Sequence, residues 1–90
     1  MAERSALAIL RRTQVEQETG LAKSTLYLRV EQGLFTGPVL IGPRAVAWPA
    51  GEVEALNRAR IAGQGDDQIR ELVARLEAAR SSGPEELRCK

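Results

Sequence analysis

The chain has 90 residues, of which 43% are hydrophobic and 28% are charged, and its formal net charge is +1. A chain of this length forms one small domain with a modest core, and it lacks the run of about 18 apolar residues from which a membrane span is predicted. It has no histidine and one cysteine, Cys89, so the usual residues for metal ligation and nucleophilic catalysis are missing, and we expect neither an enzyme nor a cofactor.

A helix-turn-helix pattern occupies residues 12–33, RTQVEQETGLAKSTLYLRVEQG. Its first helix is predicted to start at Thr13, because Thr13 and Glu16 have the spacing of a capping box, in which each side chain accepts a hydrogen bond from an unpaired backbone N–H. Gly20 is predicted to end that helix in the left-handed conformation, and Leu21 to pack back over the turn. Since such a motif places its second helix in the major groove of DNA, DNA binding is the first functional hypothesis.

The second helix, residues 22–32, is predicted to turn Leu26 and Val30 into the core, because residues four apart share a helix face. The rest of its surface suits phosphates, base edges and thymine methyl groups. These positions hold Lys23, Ser24, Thr25, Tyr27, Leu28 and Arg29. The alternative for this pattern alone is a solvated surface helix in an ordinary small bundle.

Two short β-rich runs, residues 38–41 and 45–48, surround a Gly-Pro-Arg turn at 42–44 and predict a β-hairpin. A hairpin directly after a helix-turn-helix is a wing, whose tip lies against the DNA backbone or in the minor groove. Arg44 at the tip is therefore a candidate DNA contact, and the alternative for an arginine in a turn is a solvated charge. Trp48, the single tryptophan, is predicted to anchor the core.

A third helix is predicted after the wing, with Pro49 in its first turn, where the missing N–H of proline costs nothing. Glu52 favours the start of this helix electrostatically, and Val53 and Leu56 continue an apolar stripe. The Gly-Gln-Gly segment at 63–65 is predicted to end it.

A fourth helix is predicted to begin at Asp66 or Asp67, both good N-caps, and its apolar residues share one face. They are Ile69, Leu72, Val73 and Leu76. Such a face packs on its own domain or on another chain. Three features favour docking on a neighbouring protomer. They are the glycine hinge at 63–65, the acidic balance of residues 64–90, which carry six acidic and five basic side chains, and the mild charge of residues 1–63, which carry eight basic and six acidic side chains. Cooperative binding of several copies would then supply the affinity that one copy lacks.

Short motifs in the two helices, the wing and the third helix form one recognisable string. They are Gly20-Leu21, Ser24-Thr25-Leu26-Tyr27, Gly33-Leu34-Phe35-Thr36, Pro38, Gly42, Arg44-Ala45-Val46, Trp48-Pro49 and Glu52-Val53. This string resembles the AlpA family of phage and mobile-element regulators, small relatives of MerR-type winged-helix and excisionase domains, and the similarity continues through residues 57–63 and 67–80. Many relatives have serine where this chain has Ala22, so Ser24 is expected to cap the second helix instead. Relatives also often have a basic residue near Leu28, so the phosphate contact is expected to shift to Arg29 or to a partner subunit.

The sequence thus predicts a mainly α protein with a small β-hairpin. Its units are a winged helix-turn-helix domain in residues 1–63, a C-terminal helix for oligomerisation or packing in 64–80, and a flexible tail in 81–90. Because a lone cysteine suits a reducing compartment, we expect a bacterial cytoplasmic protein with no membrane partner. The expected contacts to double-stranded DNA are Arg12, Lys23, Ser24, Thr25, Tyr27, Leu28, Arg29 and Arg44.

The resemblance implies a sequence-specific DNA-binding protein that acts as an excisionase, or recombination directionality factor. Such a protein binds and bends attachment-site DNA as a homo-oligomer and has a phage-type integrase as its partner. A transcriptional activator or repressor is the first alternative. A protein-interaction module without enzymatic activity is the alternative of a different class.

Overall fold

The computed structural model describes residues 8–80 and contains, in this range, four helices and a three-stranded sheet. The elements in chain order are β1 (Ile9–Arg11), α1 (Arg12–Thr19), α2 (Lys23–Glu31), β2 (Val39–Gly42), β3 (Ala45–Pro49), α3 (Ala50–Ile61) and α4 (Asp66–Ala79). The predicted fold class is confirmed: the protein is mainly helical, with a small antiparallel sheet and a C-terminal helix, as in a winged helix-turn-helix. The predicted tail at 81–90, with Cys89, lies outside the described residues.

The sheet contains one strand more than the sequence pattern predicts. The strand order is β1-β3-β2 and all pairs are antiparallel, so β3 is the central strand. In β1, Leu10 is buried and pairs with Trp48, whereas Ile9 and Arg11 are exposed. A strand of three residues is too short to give a periodicity signal, and its partner lies far along the chain.

The predicted hairpin is confirmed: β2 lies one residue later than predicted, and β3 begins at the predicted residue and is one residue longer. A two-residue turn, Pro43 and Arg44, connects β2 to β3. The register changes between Leu40 and Gly42, so Ile41 is the extra residue of a β-bulge and is exposed. Such a bulge bends its strand and increases the local twist close to the tip of the wing.

Helix α1 begins one residue earlier than predicted, and the capping box of Thr13 does not form. Arg11 is the N-cap, and its backbone N–H donates to Oε1 of Gln14 (2.9 Å). Glu16 instead accepts from the side chain of Arg12, four residues before it. The prediction for Gly20 is confirmed, since it has φ 75° and its N–H donates to the Glu16 carbonyl oxygen (2.8 Å).

Helix α2 agrees with its predicted range, but the expected capping by Ser24 is absent. Its N-cap is Ala22, which makes no side-chain capping bond, and Ser24 lies inside the first turn. Leu26 is fully buried and Val30 is packed against the core, as predicted. After the helix, Gly33 takes φ 77°, a conformation that a residue with a Cβ atom rarely adopts.

Trp48 lies at the centre of the core, as predicted, and has no exposed surface. Its Nε1–H donates to the carbonyl oxygen of Thr36 (2.7 Å), so the polar end of the ring is satisfied. The rings of Tyr27 and Phe35 meet it edge to face, with centroid distances of 6.2 and 6.5 Å. The core therefore joins α2, the loop after it and the central strand.

Helix α3 begins directly after the sheet, and Pro49 is its N-cap rather than its first helical residue. Val53, Leu56 and Ala59 are buried, which confirms the predicted apolar stripe. Glu52 lies in the first turn as expected, but it is also buried, with 6% of its surface exposed.

The apolar face of α4 packs on the chain's own core, which corrects the expectation that it docks on a neighbouring protomer. Ile69 is fully buried and Val73 is 5% exposed, while Leu72 and Leu76 are half-buried against the same cluster. The helix rests on α3, and the surface that a neighbour would need is already covered. The N-cap is Gly65, whose N–H donates to Oε1 of Gln68 (3.1 Å), so the predicted aspartate N-caps are helical residues of the first turn.

Polar contacts hold the C-terminal end of α4 against α3 and the loop before the wing. Nε of Arg80 donates to Oε2 of Glu52 (2.8 Å), and its Nη2 donates to Oε1 of Glu52 (2.7 Å) and to the Gly37 carbonyl oxygen (2.6 Å). The Gly37 N–H donates to Oε2 of Glu77 (2.7 Å). The hydrogen bonds to Glu52 raise the pKa of the Arg80 guanidinium, so Arg80 stays protonated at any physiological pH.

We expect Ile69→Ala to lower the free energy of unfolding by about 2–5 kcal/mol, because it leaves a cavity in the core. Urea denaturation followed by circular dichroism measures this loss. Ile61→Ala is the matched control: Ile61 is 86% exposed, so its truncation should change stability by less than about 0.5 kcal/mol. Equal effects of the two substitutions would show that α4 does not belong to the core.

We expect Arg80→Met to destabilise the protein, because it leaves the buried Glu52 carboxylate without its partner. Breaking a fully buried ion pair costs about 3–5 kcal/mol. Since 27% of the Arg80 side chain is exposed, we expect a smaller loss, roughly 1–3 kcal/mol. The double variant Glu52→Met/Arg80→Met should recover at least half of this loss in the same denaturation assay. A double variant no more stable than the single one would contradict this account.

Candidate nucleic-acid interface

The turn of residues 20–22 joins α1 to α2 and fixes which side of α2 faces the solvent. Because Leu26 is buried beneath the helix, the opposite side is exposed. That side carries Ser24 and Glu31, both exposed, and Leu28, which is 50% exposed. An apolar side chain that is half-exposed beside a hydroxyl and a carboxylate forms a mixed surface, suited to the mixed chemistry of a DNA groove.

Four of the residues predicted for DNA contact on α2 differ in exposure: three lie at the start of the helix, and Tyr27 packs against the core. Lys23 and Ser24 are exposed at its start, and Thr25 is half-buried beside them. Tyr27 is half-buried, and its ring lies against Trp48. The Tyr27 ring is therefore part of the packing as well as of the surface.

Arg29 lies apart from the other predicted contacts, on the flank of α2 that faces α1 and α3. It lines a mainly apolar pocket of about 190 Å³. The other residues of this pocket are Thr19, Leu21, Leu34, Phe35, Leu56, Asn57 and Arg60. The structure thus separates Arg29 from the face of Ser24 and Leu28, since residues one and five positions apart on a helix point in different directions.

Three arginines from separate elements converge on one open groove of about 430 Å³. Arg11 ends β1, Arg12 begins α1, and Arg44 lies in the turn of the wing. Thr13 and Val46 complete the lining. The pairing of β1 with β3 places Arg11 beside Ala47, and this brings the first two arginines next to the wing.

Arg12 and Arg44 are among the contacts that the sequence predicts, whereas Arg11 is not. The dibasic pair at 11–12 was the available signal, but only strand pairing shows that it faces the same groove as Arg44. Arg12 also forms an ion pair with Glu16, which neutralises part of its charge. Arg11 and Arg44 are both exposed and form no ion pair within the described residues.

Within residues 8–80, no three side chains of His, Cys, Asp or Glu come close enough together to hold a metal ion. None of the helices in that range has the length and apolar character needed to cross a membrane.

Residues 8–61 match the family model of the prophage CP4-57 regulatory protein AlpA, and this match covers more than half of the chain. The chain belongs to the AlpA family. The AlpA match contains α2, the wing and all three arginines of the groove. It ends at the last residue of α3, so α4 lies beyond it, and the expected similarity over residues 67–80 is not part of the match. No curated protein and no solved structure is significantly similar to the chain.

Proposed function

We propose that this AlpA-family protein is a sequence-specific DNA-binding regulator of a prophage or mobile element. Membership of the family implies a phage-type DNA-binding regulator. The observation that carries the proposal is the groove of Arg11, Arg12 and Arg44, which lies where a helix-turn-helix domain meets its wing. Guanidinium groups bind phosphate oxygens in a forked geometry, and clustered arginines suit a DNA backbone.

In the proposed complex, α2 enters the major groove with Lys23, Ser24, Thr25 and Leu28 toward the bases. Arg44 contacts the sugar-phosphate backbone at the edge of the adjacent minor groove, where the negative potential favours arginine. Arg11 and Arg12 hold the phosphates between the two grooves. Tyr27 and Arg29 lie on the two sides of α2, next to the face of Ser24 and Leu28. We therefore assign them to the sugar-phosphate backbone rather than to base edges.

The specific role that we propose is that of an excisionase which binds and bends attachment-site DNA for an integrase. A net charge of +1 supports this role, because modest electrostatic affinity per copy favours the binding of several copies to one site. Bending 20–30 base pairs costs on the order of 1–6 kcal/mol, which several bound copies can share. The copies must contact one another through surfaces other than the apolar face of α4, which is occupied in the fold.

Transcriptional activation or repression is the second candidate, since the matched family is described as one of regulatory proteins. A single operator is sufficient for this role, and neither repeated sites nor an integrase is needed.

Footprinting of the full chain on the element's attachment-site DNA and on its promoter DNA tests these roles. The excisionase role predicts several adjacent protected segments in the attachment site, filled over a narrow range of protein concentration. The regulatory role predicts one protected segment at the promoter. Absence of protection on both DNAs at low salt would contradict DNA binding itself and favour a protein-interaction module.

We expect Arg44→Ala to weaken binding to specific and random DNA alike, because a backbone contact carries no sequence information. The slope of log affinity against log salt should fall by about 0.9 for one lost phosphate contact. Fluorescence anisotropy between about 50 and 200 mM salt measures this slope.

Arg75→Ala is the control for this experiment, since it removes the same charge from an exposed position on α4. Its slope should equal that of the parent chain. Identical slopes for Arg44→Ala and Arg75→Ala would show that the wing does not touch the DNA backbone.

A further inference from the structure

Glu31 is an acidic residue on the face of α2 that is proposed to enter the major groove. It is the last residue of the helix and is exposed. Ser24, Leu28 and Glu31 follow one another at spacings of four and three, so they share one side of the helix. With Tyr27 they line one shallow groove.

The position of this carboxylate is electrostatically unfavourable in two ways. The C-terminal end of a helix carries partial negative charge, which disfavours an acidic side chain there. DNA phosphates would repel it as well. Within residues 8–80, no basic side chain forms an ion pair with Glu31 that would offset these costs.

We propose that Glu31 determines sequence specificity by accepting a hydrogen bond from the N4 amino group of a cytosine, an inference that rests on the proposed function. An ionised carboxylate accepts hydrogen bonds and donates none. In the major groove guanine presents two acceptors and thymine one, so both repel it. Adenine presents a donor beside an acceptor, whereas cytosine presents its amino donor without the neighbouring N7 acceptor of adenine. Cytosine is therefore the base that best fits this carboxylate.

The substitution Glu31→Gln gives this assignment a directional test. A glutamine amide has both a donor and an acceptor, and it pairs with N6 and N7 of adenine. The variant should therefore change the preferred base at one position from cytosine to adenine and leave the other positions as they were. Removal of a negative charge from the C-terminal end of the helix should not weaken the fold, and thermal unfolding checks this.

Selection from a randomised double-stranded DNA library, with the full chain, is the experiment. The parent chain should recover a motif with cytosine at one position, and Glu31→Gln a motif with adenine there. In direct binding to the two sequences, the parent should prefer cytosine by roughly 5- to 150-fold and the variant should reverse this order. Glu31→Ala should lose the preference at the same position only.

Glu71→Gln is the matched control, because Glu71 is an exposed glutamate on α4 and the substitution removes the same charge. It should recover the parent motif unchanged. If Glu31→Gln also recovers the parent motif, with uniformly higher affinity, then Glu31 only repels phosphates and the inference is overturned. If the parent chain and the control enrich no motif, sequence-specific DNA binding itself fails, which is a different result.

Discussion

The burial of Trp48 is the interaction on which the rest of the structure depends. It lies on the central strand, pairs with Leu10 of β1, and contacts the Tyr27 ring of α2 edge to face. Its indole N–H donates to the Thr36 carbonyl oxygen, in the segment that leads into the wing. One side chain therefore fixes the relative positions of the first strand, the proposed recognition helix and the wing. A large aromatic ring suits this role because it buries much apolar surface and has few rotatable bonds.

This rigid centre gives the proposed interface its geometry. The arginines at its edge are long and flexible, but their backbones are held by the sheet: Arg11 by pairing with β3 and Arg44 by the two-residue turn. Contacts whose backbones are already in place lose less entropy on binding than contacts on mobile loops. The electrostatic part of the proposed binding thus depends on the apolar core.

Local patterns predicted most of this architecture, and non-local pairing explains what they missed. The helix-turn-helix was predictable from Gly20 and the apolar spacing of α2, and the hairpin from the glycine and proline of its turn. Each of these signals lies within a few residues of the element that it predicts. Strand β1 has three residues and pairs with residues that lie 36 to 40 positions further along the chain, so its sequence carries no comparable signal. For the same reason the sequence does not predict that Arg11 faces the same groove as Arg44, or that Arg80, directly after α4, pairs with the buried Glu52.

The position of α4 links stability to the proposed site. Glu52 lies within the region that matches the AlpA family, but the guanidinium that satisfies it comes from Arg80, beyond that region. The same guanidinium, with Glu77, also binds the backbone of Gly37, two residues before β2. Detachment of α4 would therefore leave a buried carboxylate unpaired, uncover the core at Ile69 and free the segment that begins the wing. Because these losses occur together, the proposed binding of DNA to an ordered wing and the packing of α4 favour each other thermodynamically.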